Sequence, residues 1–276
     1  MTSSKITVVI NTFNSEDKIY QCLESIDSAN KVIIVENSNN INFKKEIESK
    51  YSNVNCFLAG ENLGYAKGNN LGLSKVESKY ALILNPDAVL ERNSINNFIN
   101  IAEKINDFAI IGPAIQDEFS KKDLNFDKNQ FFEVDSLKGF AMFLNIEQFR
   151  DIGFFDSNFF IYLEEIDLCK ILKNKNKKIY LDKNIVVNHL GGSSHNSSID
   201  FEMELSRNWH WMWSTFYFNK KHYGYLNSLS KVFVKLLSSL IKTIFFTVLL
   251  NNGKRKIYYQ RFSGLFNSII GKKSWY

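Results

Sequence analysis

An aromatic segment of the chain leads directly into a cluster of carboxylates. Residues 159–163 read Phe-Phe-Ile-Tyr-Leu, and Glu164, Glu165 and Asp167 follow within four positions. Burying a carboxylate beside aromatic rings is costly unless it is paired or binds a cation, so this cluster is the strongest candidate for chemistry in the chain. The structural alternative for Glu164 and Asp167 is a helix start, where acidic side chains complement the helix dipole.

Polar segments follow three continuous apolar runs. The runs are Ile6–Ile10, Val32–Val35 and Tyr80–Leu84, and the polar segments after them are Asn11–Asn14, Glu36–Asn39 and Asn85–Asp87. Such runs predict strands buried on both faces of a parallel sheet, where ligands bind beyond the carboxyl ends of the strands. We therefore expect the three polar segments at one edge of a sheet. Each segment alone is also typical of an ordinary polar turn.

A glycine-rich motif lies between the second and third of these segments. Residues 62–72 read Asn-Leu-Gly-Tyr-Ala-Lys-Gly-Asn-Asn-Leu-Gly. Glycines let backbone amides approach a ligand where a helix begins, and those amides favour a phosphate. The segment is explained equally well as the start of a helix that contains several glycines and binds no ligand.

The elements that must position these residues alternate between strand and helix. Further strands are predicted at Val54–Leu58 and Ala109–Ile111, and apolar residues at helical spacing separate the first two strands. This alternation predicts a doubly wound α/β half. The charged, Asn-rich stretch from Gln116 to Phe132 predicts a loop.

Charge divides the 276 residues into two parts. Residues 205–276 contain twelve Lys and Arg and no Asp or Glu, whereas residues 1–204 hold the other 22 bases and all 29 acids, so +12 and −7 give the net +5. We expect one domain over 1–204 and a basic, aromatic-rich helical region over 205–276. The three cysteines form no Cys-x-x-Cys pair, and the first apolar run is too short for a secretory signal, so we expect a cytoplasmic protein.

The order of the motifs resembles the inverting family 2 glycosyltransferases. The motifs are VVINTFN, VENSN, ENLGYAKGNNLGL, LILNPDAVL, GFAMF, GFFDSNFFIYLEEIDLC and NHLGGSS, and they span roughly residues 5–200. The likeness is greatest to the rhamnosyltransferase-like branch, which transfers sugars onto lipid-linked glycan intermediates. It implies the GT-A fold: α/β, Rossmann-like, with a doubly wound mixed sheet, here followed by a C-terminal helical extension.

The resemblance also implies donor-binding residues. In the family, positions equivalent to Thr12, Glu36 and Asn37 contact the nucleoside, and those equivalent to Asn62 and Gly64 lie beside the sugar phosphate. The full set that the resemblance assigns to substrate binding is Thr12, Asn14, Glu36, Asn37, Asn62, Gly64, Lys67, Asn70 and Gly139. The second strand ends in Glu36 where relatives usually have Asp.

The metal site and the base are implied in the same way. Asp87 matches the family's short acidic metal motif and would bind Mg²⁺ or Mn²⁺ through oxygen, with His189 as a further metal or diphosphate contact. Relatives usually read Glu-Asp-x-Asp where this chain reads Glu164-Glu165-Ile166-Asp167, so Glu165 takes the position of the general base with one extra methylene. Asp167 would orient the site or cap the helix. A lone histidine such as His189 is more often structural.

The basic tail contains an amphipathic helix over residues 226–250. At about 100° per residue its apolar side chains share one face and Lys231, Lys235 and Lys242 group opposite. Trp, Tyr and Phe residues cluster before it, at 209–218. Aromatic rings with nearby cations suit an anionic membrane surface, so we expect peripheral attachment to the inner face of the plasma membrane. The alternative is a helix packed on the catalytic domain, with its lysines in water.

The family resemblance, together with these features, implies an inverting, metal-dependent hexosyltransferase of cell-surface polysaccharide synthesis. The expected donor is a nucleotide-diphosphate sugar such as dTDP-rhamnose, and the expected acceptor a glycan or polyprenyl-linked glycan. No recognition motif supports a nucleic-acid partner. One alternative is a degenerate, non-catalytic transferase domain acting as a membrane-associated scaffold. Another is a sugar-1-phosphate nucleotidyltransferase, which would carry glycines directly after the first strand, where Asn11–Ser15 has none.

Overall fold

The computed structural model describes residues 5–105, 107–114, 131–189 and 197–274. The strands in these ranges are β1 (Ile6–Thr12), β2 (Lys31–Glu36), β3 (Val54–Leu58), β4 (Tyr80–Leu84), β5 (Ala88–Leu90), β6 (Ile110–Ala114), β7 (Phe131–Glu133), β8 (Ala141–Asn145) and β9 (Ile179–His189). The α-helices are α1 (Ile19–Glu24), α2 (Ile41–Lys50), α3 (Gly64–Leu73), α4 (Ser94–Ile105), α5 (Glu164–Asn174), α6 (Asp200–Tyr223), α7 (Tyr225–Val248) and α8 (Asn252–Ile269).

The strands form one mixed sheet in the order β3-β2-β1-β4-β8-β6-β9-β5, and β7 pairs with β9. Strands β1 to β4 pair in parallel, while β8 runs antiparallel to both β4 and β6. The carboxyl ends of β1, β2, β4 and β9 therefore lie at the same edge as the start of β8. This arrangement confirms the predicted α/β, GT-A architecture.

The continuous apolar runs became the central strands, as predicted. Every residue of β4 is buried, as are the residues from Val32 to Glu36 in β2. Side chains on both faces of these strands need an apolar cover, which the flanking helices supply. The strand expected at 109–111 starts one residue later. Most of the loop predicted between 116 and 132 lies outside the described residues, although Phe131 and Phe132 belong to β7.

Two glycines of the motif at 62–72 let α3 pack tightly against β1. A Cβ on Gly72 would lie 2.4 Å from Cγ1 of Val9 and 3.3 Å from Cγ2 of Val35. A Cβ on Gly68 would collide with the side chain of Asn11. Gly68 and Gly72 therefore serve close packing of α3 against β1.

Replacing Gly72 with alanine should destabilise the protein. Overpacking a well-filled core costs about 1–3 kcal/mol, and alanine regains at most about 1 kcal/mol through helix propensity. We expect a net loss of about 1–2 kcal/mol in the free energy of unfolding, measured by urea denaturation. Gly253→Ala is the matched control, because the Cβ there would meet its nearest atom only at 3.9 Å. Equal stability of the two variants would contradict the packing argument.

The chain divides into two compact units. One consists of residues up to Leu63, Gly68–Phe155 and Glu165–Asn196, and contains the sheet. The other combines Ser197–Tyr276 with Gly64–Lys67 and Asp156–Glu164. The helical unit thus includes the aromatic segment that precedes the carboxylate cluster.

In the helical unit, α6 holds the aromatic segment in place. The ring of His210 stacks on Phe160 at 4.5 Å, and Ser214 Oγ donates to the carbonyl of Ile161 at 2.9 Å. Burial lowers the pKa of His210 to about 3, so its imidazole is neutral at physiological pH. Further along α6, Lys221 Nζ donates to Asp156 Oδ2 at 2.7 Å. Burial raises the pKa of Asp156, but the hydrogen bonds from Lys221 and Asn158 outweigh it and hold that pKa below its usual range.

The tail forms helices, and three of its clustered aromatic rings are buried among them. Trp209, Trp213 and Phe216 are at most 3% exposed and pack inside the helical unit, whereas Trp211 is 44% exposed. For Trp209, Trp213 and Phe216 the expected contact with lipid headgroups is therefore excluded, because these rings pack inside the helical unit. In the part of the chain that the structure describes, no helix is long and apolar enough to cross a membrane.

Candidate functional site

The ends of β1 and β2 are joined through Asn37. Thr12 lies opposite Glu36 in the sheet register. The side-chain amide of Asn37 donates to the carbonyl of Thr12 at 2.9 Å and to Asn11 Oδ1, and its Oδ1 accepts from the backbone N–H of Leu63 at 3.1 Å. Asn37 therefore ties the end of β1 and the residue before α3 to the turn after β2.

Glu36 shapes the turn after β2. It is 1% exposed; its Oε1 accepts from Ser38 N at 2.9 Å and from Ser38 Oγ, and its Oε2 accepts from Asn40 N at 2.7 Å. A carboxylate held by several donors is rigid. Asn14, predicted alongside these residues, is half-buried and adopts a left-handed backbone with φ 49°.

Asp87 lies in the short turn between β4 and β5. The turn is closed by Ala88 N donating to the carbonyl of Asn85 at 3.0 Å, and it is tied to the residue before β8 by Asn85 N donating to the carbonyl of Phe140 at 2.8 Å. The side chain of Asp87 is 1% exposed. Gly139, a predicted substrate-binding residue, directly precedes Phe140 and is half-buried.

His189 is brought to Asp87 by the pairing of two strands. Ala88 pairs with His189 across β5 and β9, so the residue before Ala88 lies next to the imidazole. Nε2 of His189 lies 3.3 Å from Oδ1 of Asp87, and its ring stacks on Phe140 with centroids 4.6 Å apart. The structure therefore joins two residues that are 102 positions apart in sequence (189 − 87). Residues 190–194 of the motif lie outside the described residues.

The Asp87–His189 pair fits a divalent cation. The contact between the two side chains is close but not a hydrogen bond, and Oδ1 of Asp87 is buried without a hydrogen-bond donor among the described residues. A buried carboxylate oxygen in this state is costly unless a cation meets it. In the described ranges, no group of three or more His, Cys, Asp or Glu side chains is arranged to hold a metal ion, so water and substrate oxygens would complete the coordination.

The carboxylate cluster opens α5. Two consecutive residues with left-handed backbone, Tyr162 (φ 74°) and Leu163 (φ 68°), lead into the helix that begins at Glu164. Non-glycine residues rarely adopt this conformation, and strain of this kind concentrates at functional sites. Glu164 and Asp167 are buried on one side of the helix, whereas Glu165 is only half-buried. Of the three residues, Glu165 is the most exposed, although Oε2 of its carboxylate is itself buried.

The remaining predicted residues belong to the glycine-rich motif. Asn70 exchanges two hydrogen bonds with the backbone of Phe155, at 2.8 and 3.0 Å, and so has a structural role. Asn62 is half-buried and Lys67 is exposed. Gly64 has φ 70°, and a Cβ there would lie 2.4 Å from the carbonyl oxygen of Phe160, so only glycine fits.

Sequence reasoning missed two contributors to the site. Asn11 accepts from Asn37 and packs under Gly68, and Phe140 stacks on His189. Both lie in motifs that were identified, but their roles depend on neighbours far along the chain. The left-handed backbone of Tyr162 and Leu163 could not be predicted from the sequence, because neither residue type favours that conformation.

Two sugar transferases are similar to this chain in sequence. The chain is 23% identical over 197 residues to the low-salt glycan biosynthesis hexosyltransferase Agl10 of Haloferax volcanii, covering 63% of each chain. It is 23% identical over 200 residues to the rhamnosyltransferase WbbL of Escherichia coli, covering 59% of this chain and 75% of WbbL. The chain thus spans less than two thirds of the length of Agl10.

The fold is shared with solved GT-A glycosyltransferases. The mannosyltransferase PcManGT from Pyrobaculum calidifontis, solved in complex with GDP-Man and Mn²⁺, superposes with a TM-score of 0.61 at 10% identity, covering 96% of this chain and 87% of that one. Residues 7–169, more than half of the chain, match the model described as glycosyl transferase family 2, and the chain belongs to that family.

Proposed function

We propose that this protein is an inverting, metal-dependent hexosyltransferase. It transfers a sugar from a nucleotide-diphosphate donor to a hydroxyl of a glycan or polyprenyl-linked glycan in polysaccharide synthesis. The observation that carries the proposal is the buried Asp87 carboxylate, 3.3 Å from His189 at the edge of the sheet. A carboxylate with an unsatisfied oxygen at this place fits a cation that binds a diphosphate.

The residues have separate roles in the proposed reaction. Asp87 and His189 would hold Mg²⁺ or Mn²⁺, which when bound neutralises charge on the departing diphosphate. Thr12, Glu36 and Asn37 form the wall for the nucleoside. Glu165 accepts the proton of the acceptor hydroxyl, which increases the nucleophilicity of that oxygen as it attacks the anomeric carbon.

The direction of attack determines the stereochemistry. The acceptor oxygen approaches the anomeric carbon from the face opposite the nucleoside diphosphate, and one displacement inverts the configuration. Glu165 acts only on a proton in this scheme, so no covalent sugar–enzyme intermediate forms. Glu164 and Asp167, buried on the same helix, orient the turn that carries Glu165.

The relatives guide the choice of donor and acceptor. WbbL is a rhamnosyltransferase by name, and Agl10 a hexosyltransferase of glycan biosynthesis. We therefore place dTDP-rhamnose first among the donors to test, followed by GDP- and UDP-sugars. We also propose that the protein works at the cytoplasmic face of the plasma membrane, where a polyprenyl-linked acceptor would lie.

A donor screen tests this function. With Mn²⁺ present, the right nucleotide sugar at about 100 times its Kd should stabilise the protein by about 2.7 kcal/mol, a shift of several degrees in Tm. The same donor should release its nucleotide diphosphate when an acceptor is added. A donor that binds but never transfers to any acceptor would favour the non-catalytic scaffold, and the absence of any shift across the panel would contradict the proposal.

A further inference from the structure

The side of α7 that points away from the other helices is apolar and exposed. Val248 is 77% exposed, Val234 74% and Ile241 63%, values that are high for aliphatic side chains in a folded unit. We call this surface the α7 outer face. It consists of Leu226, Phe233, Val234, Leu237, Leu240, Ile241, Ile244, Phe245 and Val248.

The opposite side of α7 is the one that packs. Ser228, Val232 and Ser239 are buried, and Val232 joins Phe216 of α6 and Leu265 of α8 in a small core. The buried side of α7 is therefore made of small side chains, and most of the large apolar side chains of the helix are exposed. Hydrophobic burial within the helical unit cannot explain this distribution, and extended exposed apolar surfaces mark interaction sites.

The charge around the outer face indicates what covers it. At about 100° per residue, Lys231, Lys235 and Lys242 lie between the buried side of α7 and the outer face. They flank the outer face instead of lying opposite it, because Val234, Ile241 and Phe245 widen the exposed apolar surface towards them. No Asp or Glu occurs anywhere from 205 to 276, where twelve Lys and Arg are found. A second copy of this chain would bring the same positive charge to the contact, whereas a surface of lipid phosphates complements it.

We propose that the α7 outer face lies in the interfacial layer of an anionic bilayer. Its apolar side chains reach the acyl region while the ammonium groups of Lys231, Lys235 and Lys242 lie among the phosphates. The contact surface is thus the helix itself and not the buried tryptophan cluster. This inference deepens the proposed function, on which it rests, because a polyprenyl-linked acceptor would be held in the same bilayer.

The helical unit also contains the segment that precedes the proposed base, Glu165. Asp156 is bound by Lys221, the ring of Phe160 stacks on His210, and the carbonyl of Ile161 accepts from Ser214. These contacts link the segment before Glu164 to α6 within one compact unit. The segment therefore belongs to the unit that we propose binds lipid.

Vesicle co-sedimentation of the full chain tests the proposal. The vesicles are phosphatidylcholine alone or phosphatidylcholine mixed with phosphatidylglycerol. We expect binding to the mixed vesicles and a loss of about tenfold or more in the partition coefficient for Ile241→Glu, since interfacial affinity scales with buried apolar area. Ile41→Glu is the matched control, because Ile41 is similarly exposed (56%) but lies on α2.

A second pair of variants tests the role of charge. Lys235→Gln should weaken binding to the mixed vesicles about fivefold and leave binding to neutral vesicles unchanged. Lys45→Gln, at an exposed position of α2, should leave binding to both kinds of vesicle unchanged.

Three results would overturn the proposal. The first is wild-type binding that is equally strong with and without phosphatidylglycerol. The second is equal vesicle binding by Ile241→Glu and Ile41→Glu. The third is self-association, seen in sedimentation velocity, that Ile241→Glu abolishes although the wild type does not bind vesicles. Donor-induced thermal shifts, measured on the same samples, report separately on the proposed function. A protein that binds its donor but not vesicles fails only the membrane inference.

Discussion

Glu165→Gln should reduce kcat by about 10²–10⁴-fold while donor binding stays unchanged. Glutamine keeps the size and hydrogen-bonding reach of the side chain but cannot accept the acceptor's proton. Because Glu165 is half-buried at the start of α5, the substitution leaves the helix and its packing intact. The measurement is steady-state transfer with saturating donor and acceptor, together with the donor-induced thermal shift of each variant.

Glu165→Asp separates the position of the base from its chemistry. The carboxylate is kept but withdrawn by one methylene, and a misplacement of about 1 Å can reduce the rate by about 10²-fold. We therefore expect activity between that of the wild type and the glutamine variant, with the pH dependence of the wild type. If Glu165→Gln keeps full activity, another group accepts the proton and the assignment fails.

Asp87→Asn should reduce transfer by about 10³-fold. Cationic stabilisation of a departing phosphate is worth several kcal/mol, and a loss of about 4 kcal/mol corresponds to a factor of this size. Asparagine matches aspartate in shape, so the turn between β4 and β5 should keep its hydrogen bonds. Mn²⁺ affinity in the presence of the nucleotide diphosphate, followed by electron paramagnetic resonance, should fall in parallel.

The control for Asp87 is another aspartate made neutral in the same way. Asp151→Asn removes one negative charge at an exposed position and should leave both Mn²⁺ affinity and transfer unchanged. His189→Ala should weaken Mn²⁺ binding less than Asp87→Asn, because the imidazole is neutral when it binds a metal. Unchanged Mn²⁺ affinity in Asp87→Asn would remove this residue from the metal site.

The central strands of the sheet could be predicted from the sequence because they are buried on both faces. In runs such as Ile6–Ile10 and Tyr80–Leu84 every side chain is apolar or small, so both faces of the strand must be covered. The three polar segments at one edge followed from that topology. The pairing of Asp87 with His189 could be inferred only from the family resemblance, since it depends on β5 and β9 being neighbours.

Other features depend on tertiary packing that local patterns do not encode. The tryptophans around Trp209 look alike in sequence, yet Trp213 is buried and Trp211 is exposed, because only one side of α6 meets α7 and α8. The sequence did not show which glycines of α3 serve packing, because the contact of Gly72 with Val9 depends on how the helix lies on the sheet. The helical wheel of α7 predicted an apolar face correctly, but not whether that face would turn inward or outward.

The measurement that tests the central claim most directly is the anomeric configuration of the transferred sugar. The donor identified in the thermal screen is incubated with Mn²⁺ and acceptor, and the product's anomeric proton is read by NMR. A single displacement assisted by Glu165 predicts a configuration opposite to that of the donor. Retention of the donor's configuration would contradict the mechanism, because a single attack from the face opposite the leaving group always inverts the anomeric carbon.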